Sequence, residues 1–165
     1  MDVQQAIQSR RAVRLFSDQP VPQDVIEQIL LAGGRAQSSK NTQPWQFVVV
    51  RERETLQALS KLGDYAGHLA GAAFAVCLVG STPSHWNSFD LGQAASYLQL
   101  AAWEVGVGSC IAAIYDQDAG KALLGLPPES NFYCAISFGY PSPEHRPAQM
   151  GGRKGLDELV RWERW

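Results

Sequence analysis

The sequence lacks most of the features that settle a function quickly. No run of about 18 apolar residues occurs, so nothing in it reads as a membrane-spanning helix. The opening "MDVQQAIQSR" is polar where a secretory leader needs a basic start followed by an apolar stretch, and the expectation is a soluble, cytoplasmic protein with no membrane partner. Cysteine is scarce and odd in number: Cys77, Cys110 and Cys134. Two of them sit inside apolar runs, "FAVCLVG" and "FYCAISFG", where cysteine behaves as a small buried hydrophobe, and a disulfide framework is not expected. Charge of one sign is also missing. With 14 basic and 16 acidic residues there is no global field to hold nucleic acid, and any positive site must be local.

Familiar catalytic signatures are absent as well. The three histidines, His68, His85 and His145, are spaced too irregularly to imply a metal site, and no phosphate-binding P-loop is present. "GVGSCIAA" resembles a dinucleotide-binding glycine loop, but it follows a helical segment rather than a strand, and Ile111 stands where the third small residue belongs. No histidine or cationic group lies near Cys110 in sequence, so it reads as a packing residue rather than a nucleophile. There is no internal repeat, low-complexity tract or linker.

What is present is enough for one sizeable core: 165 residues, 45% of them hydrophobic, read as a single domain over 1–165. Helical and strand-like segments alternate. Asp2 and Gln5 form a capping box for a first helix whose apolar positions Val3, Ala6 and Ile7 share a face. A second helix opens at Pro22, turns Val25, Ile26, Ile29 and Leu30 inward, and stops at Gly33 and Gly34 in the left-handed conformation that helix ends favour. "WQFVVV" and "AAFAVCLVG" read as buried strands, with a short polar helix between them near 54–61. Asp90 and Gln93 suggest a second capping box, opening a widely buried helix "LGQAASYLQLAAWEV". "GSCIAAI" and "FYCAISFG" supply two more strands around a short helix near 119–124. The tail, 141–165, is rich in proline and glycine, yet ends in a helical-looking "LDELVRWERW" whose two tryptophans need somewhere to dock.

Two segments stand out for chemistry. "SRRAVRLF" places Arg10, Arg11 and Arg14 at the end of the first helix, where they are either a solvated, dipole-favoured helix end or a binding site for an anion. A planar guanidinium grips a phosphate bidentately. "SSKNTQPW" places Ser38, Ser39, Asn41 and Gln43 in a loop between a glycine-ended helix and a strand, as donors and acceptors at the mouth of a sheet. Neither segment decides alone.

Taken in order with the rest, they do more. "SRRAVRLF", "NTQPWQFVVV", "LAAWEVGVGSCI", "ISFGYP" and "RKGLDELV", spread along nearly the whole chain, resemble the flavin-dependent nitroreductase family. The resemblance implies an α+β fold, a central mixed or antiparallel sheet flanked by helices, assembled as an intertwined homodimer with FMN at the subunit interface. The tail 141–165 would wrap the partner, and the alanine-rich helix from Leu91 would form much of the contact. It implies hydride transfer from NADH or NADPH through FMN to a small electrophile such as a nitroaromatic or quinone, by a ping-pong sequence. The flavin carries that chemistry, so no catalytic side chain is required. Family relatives that dehydrogenate a substrate or remove a substituent reductively, and a protein that binds or senses FMN without turnover, are the alternatives.

By resemblance, Arg10 binds the FMN phosphate, Arg11 and Ala12 line the flavin, and Arg14 faces the N1 and O2 side of the ring. Ser38, Ser39 and Asn41 contact FMN or substrate, Gln43 fixes their loop, and Arg35 is either a further FMN ligand or a surface ion-pair partner. Ile111, Ala112 and Ala113 run beside the ring, and Arg153 with Lys154 closes on the phosphate. Ala12 replaces a frequent serine, Gln37 and Lys40 depart from the loop's usual residues, and "IAA" replaces a commoner aromatic-and-glycine pattern. The stretch from Leu62 to Asp90 lacks a longer insertion, which leaves the pocket open or completed by the partner chain.

Overall fold

The computed structural model describes residues 1–81, 85–148 and 152–165. Four strands form one sheet: β1 (Trp45–Val50), β2 (Phe74–Gly80), β3 (Gly108–Ala112) and β4 (Asn131–Gly139), in the order β1-β2-β4-β3. All three pairings are antiparallel, in the registers Val48↔Cys77, Val76↔Ile136 and Cys110↔Ser137. Because side chains alternate across a strand, the sheet divides its residues between two cores. Phe74, Val76, Leu78, Ile136 and Phe138 pack under α2 (Gln23–Gly34) and α4 (His85–Glu104), with the Phe74 and Phe138 rings stacked at 4.9 Å. Ala75, Cys77, Ala112, Phe132 and Ala135 pack on the opposite face with Leu56, Leu59 and Leu69, from α3 (Arg53–Leu59) and a 3-10 turn at Gly67–Gly71. Burying apolar surface on both faces is the main driving force for this arrangement.

The N-terminal segment completes the sheet. Asp2 caps α1 (Val3–Ser9) in a reciprocal box with Gln5, and the Trp103 indole N–H of α4 donates to Ser9 Oγ at 2.8 Å. Past α1 the chain turns extended and lies along β3. Ala12 and Ser109 form a parallel bridge, the Val13 N–H donates to the Ser109 carbonyl at 3.0 Å, and Val13 is buried. Gly108 permits the approach, since a Cβ there would sit 2.5 Å from Val13 Cγ2. The chain after β4 then returns to the same segment, with Ser142 N–H donating to the Leu15 carbonyl.

Several expectations are corrected. Gly33 and Gly34 do not end α2 in a left-handed conformation; both lie inside the helix, and Arg35 follows at φ −88°. Gly33 is small because α4 crosses there, where a Cβ would lie 2.5 Å from Leu98 Cδ2. The left-handed helix-ending role falls to Gly125, after α5 (Gln117–Leu124), at φ 62°. β1 is an edge strand and only half-buried. Asp90 does not open a helix, because α4 starts at His85 and carries Asp90 within it, buried. The alanine-rich face of α4 is consumed inside its own subunit, since Leu91, Ala94, Ala95, Leu98 and Ala102 are buried. The final helix is one turn, α6 (Leu156–Leu159), with Leu156 and Leu159 exposed, so it lacks the burial that stabilises a short helix. No helix among the described residues is long and apolar enough to cross a membrane.

Candidate active site

The arginines are sorted by the backbone that carries them. Arg11 turns back on its own helix and donates to the carbonyls of Gln8 and Arg10 at 2.7 and 2.9 Å, so its side chain serves the C-terminus of α1. Arg10 and Arg14 lie along β3 instead. Their charges act on Cys110, whose thiol donates to the Ile111 carbonyl at 3.6 Å. Among the described residues neither arginine has a carboxylate partner, the ion pair present there being the N-terminus with Glu104. Two guanidinium groups acting on one strand without a counter-ion suit an anion; Arg14 lies on the extended segment, while Arg10 is the C-cap of α1, its N–H donating to the Ala6 carbonyl at 3.0 Å.

The surroundings of Cys110 correct its sequence reading, which saw no cation or histidine nearby. Besides the arginines, His68 and Ser137 stand next to it: His68 Nδ1 lies 2.8 Å from Ser137 Oγ, and Ser137 Oγ donates to the Cys110 carbonyl at 3.2 Å. Burial still dominates and pushes the Cys110 thiol up, against the lowering effect of Arg14 and Arg10, so it is not an activated nucleophile. His68 is held below the usual histidine range, first by burial and then by the Arg14 charge, with the Ile111 carbonyl opposing. Further along β3, Ile111 is 47% exposed and Ala112 is buried beneath it. Ala113 follows, its carbonyl packed on Gly63, where a Cβ would lie 2.1 Å away. Ile111 and Ala113 are exposed on one side of the strand end, while Ala112 points into the core on the other face and is not available to a ligand.

The loop before β1 is the second component, and its backbone is strained. Lys40, Asn41 and Gln43 all have positive φ, at 51°, 55° and 47°, a conformation costly for residues other than glycine. Three contacts hold it there. Ser39 N–H donates to buried Asp90 at 3.0 Å, Gln43 N–H to Ser38 Oγ at 2.9 Å, and the Gln37 amide to Gln93 Oε1 at 2.6 Å. Asp90 and Gln93, read as a capping box in sequence, therefore anchor a loop 51 and 56 residues upstream. The side chain of Asn41 stays exposed at its tip.

One protomer does not bring the two components together. The arginines flank β3, the Ser38–Gln43 loop leads into β1, and these are opposite edges of the sheet, with β2 and β4 between them. Three strand spacings put the edges about 14 Å apart. Arg35 is also on the β1 side, in a groove with Glu27, Leu30, Leu31, Trp45 and Phe47, away from Arg10 and Arg14. Arg153 and Lys154 are exposed on the tail, which among the described residues makes no hydrogen bond to the body after residue 145. Residues missed in sequence are Asp90, His68 and Ser137, whose roles arise from pairings across the fold that no local spacing announces.

The chain has relatives of matching length. A family model described as the nitroreductase family matches residues 7–73 and 64–140, a span that includes the arginine segment, the strained loop and the whole sheet. A protein of Archaeoglobus fulgidus with the provisional name NADH dehydrogenase/NAD(P)H nitroreductase is 33% identical, covering 96% of each chain. The solved FMN-dependent nitroreductase of Clostridium difficile superposes with a TM-score of 0.87 at 28% identity, over 97% of this chain and 98% of that one. A shorter likeness, 44% identity over 46 residues, links 28% of the chain to 16% of iodotyrosine deiodinase 1 of Rattus norvegicus. Family match, length and fold agree, and the chain belongs to the nitroreductase family.

Proposed function

We propose that the protein is an FMN-dependent NAD(P)H oxidoreductase that reduces a small electrophilic acceptor in a ping-pong sequence. The observation that carries this reading is the pair Arg10 and Arg14, aligned along β3 without an acidic partner among the described residues. Their chemistry fits the cofactor: one guanidinium grips the phosphate, and the other offsets negative charge on the pyrimidine edge of the ring. Bound FMN supplies two-electron hydride chemistry, which side chains alone cannot. The chain's own residues orient and shield. Ile111 and Ala113 present an apolar surface to one side of the ring, and the Ala12 backbone, bridged to Ser109, keeps the arginines in line. Arg153 and Lys154, on a segment not tied to the body, are available to close over the phosphate.

A homodimer with two interface sites accounts for the split between the components. Ser38, Ser39, Asn41 and Gln43 of one copy would meet Arg10 and Arg14 of the other, since within one copy they stand on opposite edges. The exposed apolar surface supports this: Val3 and Ile7 on α1, Trp86 and Phe89 on α4, and Trp162 and Trp165 on the tail. The tail would wrap the partner. Among alternative acceptors, the short likeness to a deiodinase favours reductive removal of a substituent. The visible spectrum of the purified protein, followed by anaerobic addition of NADH and NADPH, tests the assignment. Bound FMN bleached by either donor is expected. A colourless protein that FMN cannot reconstitute overturns it, and bound FMN that neither donor reduces leaves a binding or sensing protein.

A further inference from the structure

Asp90 is a buried carboxylate that the proposed chemistry does not use. It is 2% exposed, inside α4, and its Oδ2 accepts the Ser39 N–H at 3.0 Å across 51 residues of chain. Ser39 opens the 3-10 turn Ser39–Asn41, and the first N–H of such a turn has no acceptor within it. The residue placed to cap it locally is Ser38, but Ser38 makes no side-chain cap there. Its Oγ accepts instead from the Gln43 N–H at 2.9 Å, at the far end of the loop. The labour is divided: Asp90 takes the start of the turn and Ser38 closes its end.

The left-handed residues Lys40, Asn41 and Gln43 are held by those two clamps. The bonds inside the loop, Asn41 N–H to the Ser38 carbonyl and Thr42 N–H to the Ser39 carbonyl, form equally well in a turn of right-handed residues, so they do not select this backbone. Of the contacts that reach out of the loop, the Gln37 amide to Gln93 Oε1 joins exposed side chains and holds only the stem. Asp90 holds the backbone itself, in a part-buried contact for which water competes less. Strained backbone persists only where its surroundings over-determine it, and Asp90 is the part of those surroundings that lies outside the loop.

Resting on the FMN reading above, we propose that Asp90 is a positioning residue, which sets the Ser38–Gln43 loop in its flavin-receiving shape before the cofactor arrives. Being buried, it touches no ligand, and the groups presented outward are the loop's own, with the Asn41 side chain at the tip. Without the Asp90 acceptor, Lys40 and Asn41 relax towards the right-handed region, and only a fraction of the chains hold the receiving shape. Affinity falls by that fraction, because FMN meets a competent loop less often, while FMN already bound leaves at its former rate. Losing a direct contact acts the other way, through faster departure.

Stopped-flow binding of FMN to the full chain, followed by flavin fluorescence, separates the two. Asp90→Ala should associate about tenfold more slowly and dissociate at the wild-type rate. Asp90→Asn keeps an acceptor of the same shape but a weaker one, and should fall between Asp90→Ala and the wild type. Ile26→Ala, a cavity elsewhere in the core, should lower the melting temperature and leave both rates alone. In the cofactor-free protein, hydrogen exchange of the Ser39 and Gln43 amides should be faster in both Asp90 variants. An unchanged association rate in Asp90→Ala, a loss lying wholly in the dissociation rate, or unchanged amide exchange overturns the proposal while leaving FMN binding intact. So does an Ile26→Ala chain that associates as slowly as Asp90→Ala, since the effect is then general destabilisation. If Asp90→Ala does not fold, Asp90→Asn decides by the same two rates. If the wild type binds no FMN, the cofactor reading itself fails, and the proposal with it.

Discussion

Arg10, Arg11 and Arg14 are chemically identical and do three different things. Arg11 caps a helix, Arg14 sits against Cys110 and acts on His68, and Arg10 extends the positive face. Removing the phosphate ligand is the sharpest residue-level test. Arg10→Ala should cost about 1.5–3 kcal/mol of FMN affinity, roughly a 10- to 150-fold rise in Kd, read by flavin fluorescence or calorimetry. An unchanged Kd would remove Arg10 from the site. His68 makes a second prediction, for the cofactor-free protein. Its folded-state pKa lies below its unfolded value, so the unfolded chain binds more protons below about pH 6.5. Stability from this group is full above that pH, declines as pH falls below it, and levels off below the folded value. Urea midpoints at pH 7.5 and 5.5 should differ more for the wild type than for His68→Gln, and equal differences would deny the linkage.

At the scale of elements, the site depends on two close approaches. The arginine segment lies flat on β3 because Gly108 has no side chain to hold Val13 away. Gly108→Ala should force Val13 outward, cost about 1–3 kcal/mol from overpacking, and loosen Ala12–Arg14. Thermal melts and FMN titrations should therefore worsen together, and a variant with lower melting temperature but wild-type Kd would show that the bridge does not position the arginines. The other approach is that of the strained loop to α4 through Asp90. Helix α4 illustrates why part of the fold was legible in sequence and part was not. Its buried side follows from the spacing of Leu91, Ala94, Ala95 and Leu98, but its start does not: the spacing opens it at Leu91, and it begins at His85. Asp90 and Gln93 carry the local signature of a helix start, yet they are satisfied by a distant loop. Short-range pattern could not separate the two roles, because the same carboxylate accepts equally well from either backbone.

For the molecule as a whole, the unusual feature is how much apolar surface one chain leaves uncovered. Trp86 is 67% exposed, Trp162 84%, and β1 is an open edge beside a groove lined by Leu30, Leu31, Trp45 and Phe47. A lone protomer with such patches would be prone to associate. Ending the chain after residue 148 removes the tail tryptophans together with Arg153 and Lys154. The shortened protein should be monomeric or aggregated by light scattering, and should lose FMN. A discrete dimer that retains FMN would show that the tail neither wraps the partner nor closes the phosphate site.

The sequence by itself determined most of the elements, though not all of their ends, because apolar period, capping residues and β-branched runs act over a few residues and are written locally. It also determined the family, since five motifs in order survive without any knowledge of their contacts. Only the tertiary structure decided which arginine points where, that the loop at Ser38–Gln43 is strained and pinned by Asp90, and that His68 and Ser137 stand beside Cys110. Each of those depends on residues far apart in the chain meeting across strands or helices. Which polar group a side chain meets is a property of that packing, and no spacing along the chain encodes it.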